Sequence, residues 1–480
     1  MHRLRSHLFL FFACTAGGCL LSMSKNVAMM NQGDFYRVFD SLLGAQPVDV
    51  QPYHGYTDPA FIWPYTNPVV KPWRQRNMAW IYVWIHVRLQ QIFGRYFDLY
   101  LLALISKLIV LGCCYWLSKT LPRHLGTRPG WRPLVFVLLV SAFFLAHNVA
   151  FFNSFYQEHV LFVFLPVFLV GLFEERRGVR LTLCLAGALF CGGAKAQYFY
   201  LPLLMAATLA LVHFLHKRKP DLWLMAGLLM AFVISWFLMG GNTDPTQNYY
   251  NSTYFGSYIL LSAQELRQLG VSDSNMKCVG NDPWGHKLDS EGIAHFNAGP
   301  SGCAERVSLT VKDVLAPYWR HPTLLFRLWH WSARAHFTIK SFHLFPYNVY
   351  ILPSDRKSFH NGRALVAASA LRERLITHNY LALLTAGLLL PFLCPRSVGS
   401  VEIRAATLLL ALVIPSQFVI SLLGDGVRDL SKHLAAAQLS LDLLCVFLVL
   451  QVAAWISAKW ISVRKRASEQ IETAALHSRR

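Results

Sequence analysis

The sequence predicts an α-helical polytopic membrane protein of about ten transmembrane helices, with a mixed extracytoplasmic lobe. Three observations predict it. The apolar residues come in blocks long enough to span a bilayer. Only 15% of the residues are charged, which is low for a soluble chain. Lys and Arg gather in short loops on alternate sides of the apolar blocks, as the positive-inside rule requires. The last observation also interprets the net charge of +20: spread over alternate loops, it points to membrane lipids as neighbours and away from nucleic acid.

The spans follow in order. Leu8 to Met23 is a charge-free run behind basic Arg3 and Arg5. It also has the features of a cleavable signal peptide, with a weak cleavage site at Asn26-Val27-Ala28 and a faint lipoprotein box at Ala16 to Cys19. In either case the chain beyond it lies outside. The loop 24–98 holds a Pro-rich, aromatic stretch, Tyr53 to Arg76, read as an ordered outer loop. An interfacial helix follows over Asn77 to Phe93. Later spans are expected at Leu99–Leu117, Pro133–Phe152, Val160–Phe173, Leu181–Ala194, Tyr198–His216, Leu222–Met239, Tyr380–Cys394, Ala405–Leu423 and Leu434–Ile456. This divides the chain into an N-terminal membrane domain (1–240), an extracytoplasmic lobe (241–378), C-terminal membrane helices (379–458) and a basic cytoplasmic tail (459–480). Of ten cysteines, only Cys278 and Cys303 lie in the lobe, and an oxidising outer compartment favours a disulfide between them.

That topology collects the polar oddities on the outer face. Asp34 and Arg37 follow the first span and would share a helix face at the water interface. Tyr156 and Glu158 belong to a polar knot, Asn153 to His159, between two apolar helices; either it is a turn whose Glu and His meet water, or Glu158 is a second carboxylate beside Asp34. Lys195 sits in a Gly-rich connection with Gln197. A lysine there either snorkels or meets an anion, and the backbone amides of such a bend make a fair phosphate cradle. Gly424-Asp425-Gly426 suggests a tight turn before a helix that stacks Arg428 on Lys432 and Asp429 on His433. In the lobe, Arg320 and His321 open an aromatic, basic stretch suited to an anionic head group or a stacked sugar. The histidine spacing there fits no standard metal site.

These motifs resemble the GT-C superfamily of multi-pass glycosyltransferases, in which an Asp follows the first span. Asp34 and Arg37 match the Asp and Arg of its Asp-Glu-x-Arg-Tyr pattern. Phe35 and Val38 replace the Glu and Tyr, so a paired-acid or metal-dependent version is not implied. A closer resemblance is to the WsfD-like hexose transferases of bacterial glycan biosynthesis. It rests on the early Gly33-Asp34, on Tyr156-Gln157-Glu158, on Lys195-Ala196-Gln197 and on the run from Gly424 to Leu434. The resemblance implies an inner-membrane enzyme working on the outer face, with a polyprenyl-phosphate sugar donor and a glycan or lipid-linked acceptor. Asp34 is then the base. Arg37, Lys195, Arg428, Lys432 and His433 are candidates for the donor phosphate. Tyr156, Glu158, Gln197, Asp425, Arg320 and His321 are candidates for the acceptor. No cofactor is called for, and a divalent cation stays open. Two other classes compete: an O-antigen polymerase or ligase, relying on Arg and His in the lobe, and a lipid-linked sugar flippase, for which Lys107 is the clearest mid-span charge.

Overall fold

The computed structural model describes residues 2–25, 27–29, 36–39, 42–44, 46–49, 61–65, 77–239, 245–283, 285–289, 294–296, 302–304, 307–333, 349–351, 362–393, 399–428 and 430–477. Asp34, Asp429 and most of the loop from Tyr53 to Arg76 lie outside these residues.

Backbone groups in lipid must be satisfied within their own segment, and helices dominate accordingly. The chain begins with α1 (His2–Ser24), β1 (Val27–Met29), α2 (Tyr36–Phe39) and β2 (Ile62–Pro64). The expected interfacial helix is α3 (Met78–Gln91), started by Asn77, whose side chain accepts from Trp80 N at 2.9 Å. After β3 (Tyr96–Asp98), Asp98 caps α4 (Leu99–His124) in the same way, accepting from Tyr100 N at 2.7 Å. Then come α5 (Arg132–Phe143), α6 (Ala146–Phe152), α7 (Glu158–Leu172), α8 (Arg177–Gly193), α9 (Leu201–Leu215) and α10 (Leu222–Met239).

The lobe holds α11 (Pro245–Tyr254), α12 (Ala263–Gln268), α13 (Asp273–Met276), β4 (His286–Leu288), β5 (Ala294–Phe296), α14 (Val311–Arg320), α15 (Leu324–Ser332) and β6 (Val349–Ile351). The chain ends with α16 (Arg363–Leu375), α17 (Tyr380–Leu393), α18 (Val401–Asp425), α19 (Leu430–His433) and α20 (Ala435–His477). The strands form two-stranded antiparallel ribbons, β1 with β6, β2 with β3 and β4 with β5.

Each expected span is helical, but Pro133–Phe152 is divided between α5 and α6, and the helices differ in length. Among the described residues, five are long and apolar enough to cross a membrane. The count reaches seven if the pairs α5–α6 (bent 71°) and α16–α17 (bent 74°) each make one span. The apolar helices α7 and α10 are shorter than a straight crossing of the hydrocarbon core requires. The structure therefore supports a multi-pass membrane protein with five to seven candidate spans.

One large apolar core runs through the membrane helices, and a smaller one under the lobe is built on Tyr250, Tyr254, Tyr258, Leu266 and Leu324. Cys278 and Cys303 form a disulfide beside that second core, with Cα atoms 5.8 Å apart. Burial pushes the phenols of Tyr250, Tyr254 and Tyr258 up, that of Tyr258 to about 12, so all three stay neutral. Tyr250 donates to Asn281 O at 3.0 Å. The lobe is seated on the membrane helices at Gly426, which takes φ +60°. A Cβ there would lie 2.2 Å from Asn251 O and 2.6 Å from Phe255 O. Only glycine allows α11 to approach the end of α18 so closely.

A candidate site at one end of the helix bundle

Three connections of the membrane helices meet at one end of the bundle: 153–157 before α7, 194–200 between α8 and α9, and 426–434 before α20. They bring together most of the residues singled out in the sequence. Lys195 Nζ donates to Glu158 Oε1 at 2.6 Å, and both side chains are buried. The Lys432 ammonium lies 5.4 Å from the centre of the Tyr156 ring, again with both residues buried. Gln197 Nε2 donates to His433 O at 3.1 Å. His433 Nε2 is 3.8 Å from Asp425 Oδ2, and Asp425 Oδ1 accepts from Asn251 Nδ2 of the lobe at 2.7 Å.

Several local expectations are corrected. Glu158 and His159 do not meet water. They are buried, and His159 Nε2 is 2.7 Å from Ser106 Oγ, which Tyr82 OH also reaches at 2.8 Å. Lys195 does not snorkel: it is held by a carboxylate on the neighbouring helix. Gly192 and Gly193 form no phosphate cradle, because they are the last turn of α8. They are glycines for packing. A Cβ on Gly192 would lie 2.6 Å from Pro202 Cγ, and one on Gly193 would lie 2.5 Å from Met78 Cγ.

The Gly424-Asp425-Gly426 turn is also placed differently. Gly424 and Asp425 end α18, and the chain reverses only at Gly426. Arg428 precedes the four-residue α19 and does not stack on Lys432. Its guanidinium instead meets Asp282 of the lobe, a fully buried carboxylate that also accepts from His286 Nδ1 at 2.7 Å.

The remaining candidates lie apart. Arg37 is exposed on α2. Arg320 and His321 lie on the lobe, where the exposed Arg320 donates to Gln268 O and His321 Nδ1 is 3.6 Å from Glu265. Asp34 lies outside the described residues, but the chain that leads into its loop is anchored near the site. Lys107, the mid-span lysine, donates to Ser24 O at 3.1 Å and to Asn153 Oδ1 at 3.2 Å. Asn153 Nδ2 in turn reaches Val27 O at 2.6 Å. The end of α1 is thereby fixed beside the 153–157 connection.

Sequence reasoning missed a second buried polar group in the bundle. Asp442 of α20 accepts from Arg372 Nε of α16 at 2.6 Å, from His147 Nε2 at 3.3 Å and from Asn148 Nδ2 at 3.2 Å. Ser369 of the same α16 accepts from Ala146 N at 2.8 Å. A carboxylate within an apolar span is a legible signal. Its partner Arg372 is not legible, since it sits in the polar block 241–378, and α16 packs on the membrane helices through it.

The arrangement holds an ammonium against an aromatic face, an ion pair and several hydrogen-bonding groups out of bulk water. Charges so placed act strongly on a bound anion or hydroxyl. Helices of this kind and a polar cluster at one end of them define a multi-pass membrane protein with a desolvated polar site. The chain belongs to the family described as the YfdI N-terminal transmembrane domain, which matches residues 6–473. A relative is the "Uncharacterized protein YfdI" of Escherichia coli (strain K12), 24% identical over 439 residues, covering 89% of this chain and 92% of that protein. No solved structure matches the chain.

Proposed function

We propose that this protein is a GT-C-type glycosyltransferase of the bacterial cytoplasmic membrane. It would cross the membrane about ten times, with short spans included, and work on the outer face on a polyprenyl-phosphate hexose. The convergence of Tyr156, Glu158, Lys195, Gln197, Asp425, Lys432 and His433 carries the reading. These residues come from separate connections and meet at the bundle end that the positive-inside rule turns outward. In the reaction the acceptor hydroxyl oxygen attacks the anomeric carbon and the bond from that carbon to the phosphate oxygen breaks. The hydroxyl proton passes to Asp34, and the polyprenyl phosphate leaves with the electron pair. The growing phosphate charge needs a desolvated cation, and Lys432 is the best-positioned one. Glu158, held by Lys195, and Asp425, beside His433, offer acceptors for sugar hydroxyls. Arg428 is assigned instead to holding the lobe through Asp282.

The test is transfer and donor binding with purified protein and a polyprenyl-phosphate hexose. Lys432→Met should weaken donor binding, and Asp34→Asn should abolish most transfer while leaving donor binding intact. Near-normal turnover in Asp34→Asn would overturn the mechanism.

A second reading, a lipid-linked sugar flippase, is favoured by the buried Asp442–Arg372–His147 group, the kind of intramembrane charge a transporter uses. It predicts that Asp442→Asn stops movement of the lipid-linked sugar across vesicles, whereas Asp34→Asn does not.

A further inference from the structure

The other end of the same helices carries a cavity that the proposed reaction does not use. Glu158 opens α7 and Leu172 closes it, and Arg177 opens α8 while Gly193 closes it. Leu172, Arg177 and Arg180 line a cavity of about 510 Å³ at the end remote from the Glu158–Lys195 pair. Arg218 and Lys219 complete its basic wall, and Asp221 and Glu402 are its acids. Four permanent cations therefore face two carboxylates. Asp221 is shared by Arg177 (3.2 Å) and Arg180 (3.1 Å), and Glu402 lies 3.6 Å from His124.

Two features show that cationic capacity is left over. Arg180 Nε is buried with no hydrogen-bond partner among the described residues. Lys217 takes φ 52°, a left-handed conformation uncommon outside glycine, and the reversal it makes brings the exposed Arg218 and Lys219 onto the cavity. The rim is apolar. Leu222 and Trp223, at the start of α10, are 76% and 71% exposed, and the exposed side chains of Met230, Trp236 and Phe237 continue down the same helix.

We infer that this cavity binds the phosphodiester head group of an acidic membrane lipid, with the acyl chains running along the exposed side chains of α10. The basic wall supplies the charge-assisted contacts to phosphate, and Trp223 supplies an interfacial anchor beside them. A soluble phosphate compound would meet the same cations but gain nothing from the apolar rim. By the positive-inside rule this end is cytoplasmic, where acidic lipid is attracted to basic residues at the boundary.

Native mass spectrometry of the full-length protein in detergent tests the inference. It uses phosphatidylglycerol, phosphatidylcholine, and phosphatidylglycerol with excess inorganic phosphate. The protein should retain phosphatidylglycerol over phosphatidylcholine, and inorganic phosphate should not displace it. In R218Q/K219Q, retention should fall by about thirtyfold, roughly fivefold for each charge near the lipid surface. Both residues are exposed, so the variant should elute as the parent does on size exclusion. R464Q/K465Q removes the same charge from the basic tail, at residues that are not part of the cavity lining, and should retain lipid normally. Equal retention of both lipids would overturn the inference. So would displacement by inorganic phosphate, or an equal loss in the tail variant.

Discussion

The two ends of α7 and α8 both carry ionic clusters, and they differ in one respect. At the end assigned to the outer face, Glu158 and Lys195 meet at 2.6 Å with their side chains 1% and 9% exposed. At the other end, Arg177 and Asp221 meet at 3.2 Å, with the arginine 60% exposed. Both pairs join residues far apart in sequence, and both are carboxylate–cation pairs. Solvent separates them. A buried pair must be complete, because a single charge left behind keeps the full desolvation cost. A water-facing pair is screened and its loss is scarcely felt. Residues at the first end are thus committed to a fixed geometry, which suits a site that must position a substrate. Those at the second end stay available to a mobile anionic partner.

The largest effect is expected at the proposed base, Asp34. Asp34→Asn keeps size and hydrogen bonding but removes the proton acceptor. Transfer should fall by about 100- to 10,000-fold, with donor binding unchanged, in assays of purified protein. Next is Lys195→Met, which leaves Glu158 buried and unpaired. Thermal unfolding in detergent should show a loss of about 3–5 kcal/mol. Most of that should return in the double variant with Glu158→Gln. If the single variant is as stable as the parent, the pair is not buried as described. Lys432→Met should have a smaller effect, weakening donor binding by about 1.5–3 kcal/mol in a direct binding measurement. At saturating donor its transfer should also fall, because the growing phosphate charge loses its cation. The smallest effect belongs to the opposite end: Arg177→Gln should leave the unfolding midpoint where it is. A clear drop there would mean that exposure does not separate the two clusters.

The helices and their order were determined by the sequence alone. Lipid forces backbone groups to pair within a segment, so an apolar run of sufficient length becomes a helix wherever it occurs. Every expected span is helical, although the one at Pro133–Phe152 is broken into α5 and α6. The choice of polar residues was legible for a related reason: Glu158, Lys195 and Asp425 stand out against apolar flanks. The Cys278–Cys303 disulfide was legible by compartment, and the structure contains it.

The partnerships were decided only by tertiary structure. Helical periodicity relates residues three or four apart, and that logic put Arg428 on Lys432. The break around Gly426 and the close seat of the lobe sent Arg428 to Asp282, and Lys432 to Tyr156. Lys195 found Glu158 at a separation of 37 residues, and Arg372 found Asp442 at 70. Burial drives such pairings, because a charge removed from water takes whichever opposite charge the packed helices bring within reach. The depth of each charge is set by the packing of the whole bundle, which no local stretch of sequence contains.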